Sequence, residues 1–181
     1  QGWWRFYGLN LHREADWGSV WYALSVFGIN LKHINYLSIL TVIIGVTVVT
    51  IFLVQTQETL TLAQSSLFIF IAIMAVSKVY SPQYVLWLTP LIVIALVDKK
   101  EVLVRTLPIF WFWQITEVIY HAAIWTYLAG HLSENHLIPR TTYGISIFLH
   151  TAGVVAIVIS LARQHKRAGL LPLERWPELP L

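Results

Sequence analysis

The chain has 181 residues, of which 57% are hydrophobic and only 12% charged, and its mean hydropathy is +0.65. A soluble domain carries roughly 25% charged residues, so this composition excludes a soluble globular domain and predicts an all-α, polytopic membrane protein. Cysteine is absent, which removes disulfide frameworks, thiolate metal sites and cysteine nucleophiles together; the formal charge of +3 comes from scattered basic residues, not from the stripe that binds nucleic acid.

The chain opens on QGWWRFYGLNLHREADW, which resembles neither a signal peptide nor a first spanning helix. The expectation is the C-terminal part of a longer chain. Residues 1–33 read as an extracytoplasmic, interfacial segment. Trp3, Trp4, Phe6, Tyr7, Trp17, Trp21, Tyr22 and Phe27 surround Arg5, His12, Arg13, Glu14 and Asp16. Asp16 is placed to cap a helix beginning at Trp17. Trp17, Val20, Trp21, Leu24 and Phe27 then share one apolar face. Such an amphipathic helix suits the membrane interface, where Trp and Tyr collect. It is either a plain anchor or a platform that turns HREAD toward a polar site.

Residues 34–162 predict a bundle of about five spans, each near the 20 apolar residues a crossing requires. They are Ile34–Val54, Leu60–Val76, Gln83–Val97, Val102–Leu128 and Thr141–Ala162. Pro90 and Pro108 are expected to kink the third and fourth. Residues 163–181 read as a basic tail. With alternating helices, one side collects 7 of the 12 Lys and Arg, including Arg163, Lys166 and Arg167. By the positive-inside rule that side is cytoplasmic. The protein is then a multi-pass plasma-membrane protein with its functional face extracytoplasmic, and membrane lipids are its first partners.

The polar residues of interest gather on the outer side. In Lys78–Tyr84, Ser81 is a good N-cap and Pro82 suits the first helical position. A helix start presents unpaired N–H groups and partial positive charge. With Lys78 beside it, the turn predicts an anion site, most naturally for a lipid-linked phosphate. The plain alternative is an ordinary cap with a lysine that snorkels to headgroups. Within the fourth span, Gln114, Glu117 and His121 fall on one stripe. A carboxylate in a membrane helix faces a cavity or a partner, and His150 in the last span is the candidate partner. This predicts either a polar cavity opening outward or a buried Glu–His pair. His131, Glu134 and His136 match no common metal spacing, so no metal is expected. No nucleotide-phosphate loop is visible, so any donor substrate is membrane-embedded.

KVYSPQYVLWLTPL, Lys78–Leu91, resembles a motif of polyprenol-phosphate-sugar-dependent glycosyltransferases of the GT-C superfamily. It is most similar to the bacterial alpha-mannosyltransferase group, glycosyltransferase family 87. ADWGSVWYAL, Ala15–Leu24, resembles a second segment of that family. The resemblance implies an enzyme that transfers a hexose, often mannose, from a polyprenyl-phosphate carrier to an extracytoplasmic glycan or glycolipid acceptor. The family's acidic residue belongs to a first outer loop that is not in this chain, so it maps onto no residue here, and Asp16 and Glu14 are the nearest candidates to orient an acceptor hydroxyl. The expected substrate-binding residues are Lys78, Tyr80, Ser81, Gln83, Tyr84 and Trp87, with Arg13, Arg5 and Trp17. The other readings are a transporter or flippase module lined by Glu117, His121 and His150, and a non-catalytic scaffold subunit. A transporter should show inverted repeats, and none is visible.

Overall fold

The computed structural model describes residues 2, 4, 5, 8, 13–56, 60–97, 100–133, 135 and 137–168, without the side chains of 166–168. Trp3, Phe6, Tyr7, His12, Asp98, Lys99, Glu134, His136 and the tail from residue 169 lie outside the described residues, as do the side chains of Lys166 and Arg167. The described chain is all-helical: α1 Val20–Val26, α2 Ile34–Gln55, α3 Leu62–Met74, α4 Tyr84–Val97, α5 Lys100–Leu132 and α6 Arg140–Ala168.

α1 is shorter than the periodicity suggests and starts three residues later. Ser19, not Asp16, is its N-cap, and the Ser19 side chain accepts from Tyr22 N. Asp16 instead closes the preceding turn: its carboxylate accepts from Trp17 N and its carbonyl from Ser19 N. The helix ends in a Schellman motif. Gly28, at φ 83°, donates to Ser25 O while Ile29 N donates to Leu24 O. A side chain at Gly28 would strain that left-handed backbone.

α2, α5 and α6 are long and apolar enough to cross a membrane. α3 and α4 have 13 and 14 residues, about 20 Å each at 1.5 Å per residue, against about 30 Å of hydrocarbon. Thr61 and Gln64 form a capping box that starts α3. Gln64 is also buried, and its Nε2 donates to Ala95 O of α4 at 3.1 Å. α4 begins at Tyr84, so Pro82 is not its first residue; Tyr84 N donates to Ser81 O at 3.0 Å. Both α4 and α5 continue through their prolines, Pro90 and Pro108. α6 runs past the expected end at Ala162 to Ala168, so the first residues of the basic segment are helical.

α2 buries only Ser38 and Val49. Ile39, Leu40, Ile43, Ile44, Val48 and Ile51 are all half exposed or more, an apolar surface far beyond what water-facing helices present. The tightest packing joins α5 to α6. There Trp113, Tyr120, Ile147, Ile157 and Leu161 are fully buried. Gly153 allows the approach, because a Cβ there would come within 3.1 Å of Trp113 Cα and Thr116 Oγ1. Close contact through small residues is how helices associate in lipid.

Above α4, the last turns of α5 and the first of α6 hold residues 13–27 through an aromatic layer. Tyr127 stacks on Tyr143 with centroids 4.5 Å apart. The Tyr22 and Tyr127 hydroxyls lie 2.9 Å apart, and Tyr143 OH donates to Trp17 O at 2.8 Å. Gly18 sits at the bottom of this layer. A Cβ on it would overlap the Tyr120 hydroxyl and come within 2.9 Å of Tyr80 O. Gly18→Ala should therefore destabilise the chain by about 1–3 kcal/mol through overpacking, seen as a lowered thermal midpoint in detergent. Gly8→Ala, where a Cβ meets nothing within 4 Å, should leave the midpoint unchanged.

Candidate functional site

The two segments that carry the family resemblance are far apart in sequence and adjacent in the fold. Asp16 N donates to Lys78 O at 2.8 Å, and Trp21 Nε1 donates to Val76 O at 2.7 Å. Lys78 N donates to Ser38 Oγ at 3.0 Å, which ties the turn to α2 as well. The Lys78 ammonium donates to Arg13 O and to Asn35 Oδ1. Burial, and then the Arg13 guanidinium, lower its pKa from the ordinary lysine value. The two cations thus repel each other, and the Arg13–Asp16 ion pair at 3.2 Å offsets part of that repulsion.

Below this turn lies a buried carboxylate. Glu117 of α5 is 2% exposed. One of its oxygens, Oε1, receives Trp113 Nε1 at 2.9 Å and the Tyr80 hydroxyl at 3.3 Å, and His150 Nδ1 stands 3.2 Å away. Tyr80 belongs to the turn, Trp113 to α5 and His150 to α6, so the carboxylate joins three parts of the chain. Burial, reinforced by the Glu117 carboxylate, pushes the Tyr80 phenol well above its ordinary pKa, so Tyr80 remains a donor. The His150 ring lies between Tyr120, stacked at 4.2 Å, and Tyr80 at 4.7 Å.

His121, one turn beyond Glu117, faces carbonyl oxygens with both ring nitrogens. Nδ1 is 2.8 Å from Glu117 O and Nε2 is 3.1 Å from Pro82 O. A carbonyl only accepts, so the ring nitrogen that carries the hydrogen decides which contact is a hydrogen bond. That ring also stands 3.7 Å from Glu117 Oε2. Glu117 Oε2, Tyr120 OH and His150 Nε2 are buried and have no hydrogen-bond partner among the described residues. Unsatisfied polar atoms at that depth cost free energy unless something fills the role.

Glu117 and His121 line a laterally open groove of about 510 Å³ between α4 and α5. Its other walls are Val85, Leu86, Thr89, Pro90, Gln114 and Val118. Gln114 Nε2 donates to Thr89 Oγ1 at 3.2 Å across its floor. The groove is polar at both ends, with Glu117 and His121 at one and Gln114 and Thr89 at the other, and it opens on the same outward surface as Leu86 and Val118, which are 70% and 68% exposed.

The structure therefore brings Glu117, His121, His150 and Tyr80 into one cluster, with Gln114 in the adjoining groove. Lys78, Arg13, Asp16 and Trp17 meet in the turn above. Tyr84 packs edge-on against Tyr80 and lies 5.2 Å from Trp87, and Trp87 faces outward at 58% exposure. Ser81 contributes its carbonyl to Tyr84. Gln83, Glu14 and Arg5 are exposed and join neither group. Sequence reasoning missed Asn35, Ser38, Trp113, Tyr120 and Thr89. Trp113 carried a usable signal, since it stands four residues before Glu117 on the same helical stripe. No family profile, characterised protein or solved structure matches the chain.

Glu117→Leu removes the acceptor shared by Trp113, Tyr80 and His150. Breaking a buried charged network from one side costs about 3–5 kcal/mol, so the variant should unfold at markedly lower temperature or denaturant. Glu117→Gln keeps the shape and one acceptor and should lose less. A leucine variant as stable as the parent would make the cluster incidental.

Proposed function

We propose that the chain is part of an integral membrane glycosyltransferase of the GT-C type, which transfers a hexose from a polyprenyl-phosphate carrier to an extracytoplasmic glycan or glycolipid acceptor. Mannose is the sugar the resemblance favours. In this reading α2, α5 and α6 cross the bilayer, and α3 and α4 complete two further crossings with the extended residues that flank them. The C-terminal end of α6 is cytoplasmic, and the Lys78 turn is extracytoplasmic.

The observation that carries this reading is the groove between α4 and α5. It is open sideways, where a carrier lipid would enter from the bilayer, and it ends at a buried carboxylate. A prenyl chain matches its apolar wall of Val85, Leu86, Pro90 and Val118. His121, whose side chain is 31% exposed and also lines the groove, is the polar group that a sugar or acceptor hydroxyl would meet. The repelling pair of Lys78 and Arg13 suits the carrier phosphate, which a prenyl-linked sugar holds at the membrane boundary. Charge-assisted hydrogen bonds are the strong ones at such a site. The chemical step itself is assigned to no residue of this chain.

A transporter would use the same titratable groups, but it would hold its substrate near the bilayer midplane, at the interface of two repeats. Here Tyr80, Glu117, His121 and His150 concentrate at one level, beside the Pro82 turn.

Lys78→Ala removes one full charge and a tie to Arg13 and Asn35. A charge-assisted hydrogen bond is worth roughly 1.5–3 kcal/mol, so carrier affinity should fall about 10- to 150-fold. Lys78→Arg keeps the charge and should lose less, although its geometry differs. Binding of a polyprenyl-phosphate sugar to the full-length protein in nanodiscs measures this. An alanine variant with parental affinity and parental stability would remove Lys78 from the carrier site.

A further inference from the structure

At the opposite end of the bundle, α5 and α6 enclose a second cavity, of about 440 Å³. It is lined by Arg105 and Ile109 of α5 and by Ala156, Ile159, Ser160, Arg163 and Gln164 of α6. The reading above assigns it nothing. From this cavity we infer a binding site for the phosphate headgroup of an anionic phospholipid.

The lining is graded along the helix axes. Arg105 lies five residues inside the start of α5, and Arg163 five residues inside the end of α6. At 1.5 Å per residue both are about 7–8 Å from that end. Ile109 and Ile159 lie one turn deeper on each helix, and Ala156 almost one turn deeper again. The cavity is therefore cationic near the bundle end and apolar toward its middle, and the gradient is the same on both walls. A free anion would need only the first part. A phospholipid has both, with a phosphate above and glycerol and acyl chains below.

The polar wall is also built. Gln164 Nε2 donates to Thr106 Oγ1 at 2.9 Å and to Ser160 Oγ at 3.2 Å, and Thr106 and Ser160 bond each other at 3.2 Å. Thr106 is fully buried. This network pins the two helices together beside the arginines. No described carboxylate lies within ion-pair distance of either guanidinium. Two cations held on facing helices, with no carboxylate in ion-pair contact among the described residues, would be compensated by a phosphodiester. A planar guanidinium binds that group with two parallel hydrogen bonds.

The inference requires a bilayer around the helices and does not require glycosyl transfer, so the two readings fail separately. The experiment is native mass spectrometry of the full-length protein with phosphatidylglycerol or phosphatidylcholine at equal concentration. The parent should retain phosphatidylglycerol preferentially. Arg105→Gln and Arg163→Gln should each lose on the order of tenfold in that preference. Arg140→Gln, at the other end of the bundle, should lose none. Both cavity arginines are exposed, so the variants should keep the parental thermal midpoint. Equal retention of the two lipids by the parent would overturn the site. So would an equal loss in Arg140→Gln, which would reduce the effect to net charge. Displacement of the lipid by millimolar inorganic phosphate would show that the cavity selects the anion and not the lipid, and would also overturn the assignment.

Discussion

A carboxylate that is 2% exposed inside an apolar bundle is intolerable unless donors surround it, and the arrangement of this chain follows from supplying those donors. Trp113 comes from one turn back on the same helix. His150 comes from α6, which fixes how α6 lies against α5. Tyr80 comes from the turn between α3 and α4, which fixes the height of that turn. His121 then reaches Pro82 O and holds the start of α4 in place. Gly18 is the remaining condition, because the N-terminal segment can settle over Tyr80 and Tyr120 only where no Cβ intervenes. A hydrogen-bonded ionic cluster is a weak source of net stability. Its effect here is positional: it sets three separate pieces of chain at one level.

That level is where the functional reading lies. The donors all reach Oε1, and the second oxygen faces no donor closer than the His121 ring at 3.7 Å. The lateral opening favours a substrate that arrives through the lipid. The cations of the Lys78 turn stand above, where a headgroup would be.

Much of the helical plan was legible in the sequence, because apolar runs and polar breaks are visible without any knowledge of packing. Ile34–Val54 differs from α2 by a single residue at its end. The ends of shorter elements were less legible. Asp16 is a good cap by type, yet Ser19 takes the role, because Asp16 N is drawn to Lys78 O and its carboxylate to Arg13 and Trp17 N. Such a competition depends on a contact 62 positions away and leaves no local trace. The same holds for Ser81 and Pro82, whose turn is set by His121. The Gln114–Glu117–His121 stripe was legible from spacing, and so was His150 as a possible partner. Which oxygen of Glu117 is used, and that Trp113 and Tyr80 share it, depends on the packing of α6 and was not. The groove was not legible either, since it is a gap between α4 and α5 and gaps have no sequence signature.

The central claim is that a lipid-linked substrate occupies the groove between α4 and α5 beside Glu117. Photo-crosslinking with a diazirine-bearing polyprenyl-phosphate sugar, mapped by mass spectrometry on the full-length protein, tests it most directly. The account predicts adducts concentrated on Val85, Leu86, Thr89 and Val118, and reduced by excess unlabelled carrier. Adducts spread over the outer face of α2, at Ile43, Val48 and Ile51, and indifferent to competitor would contradict it.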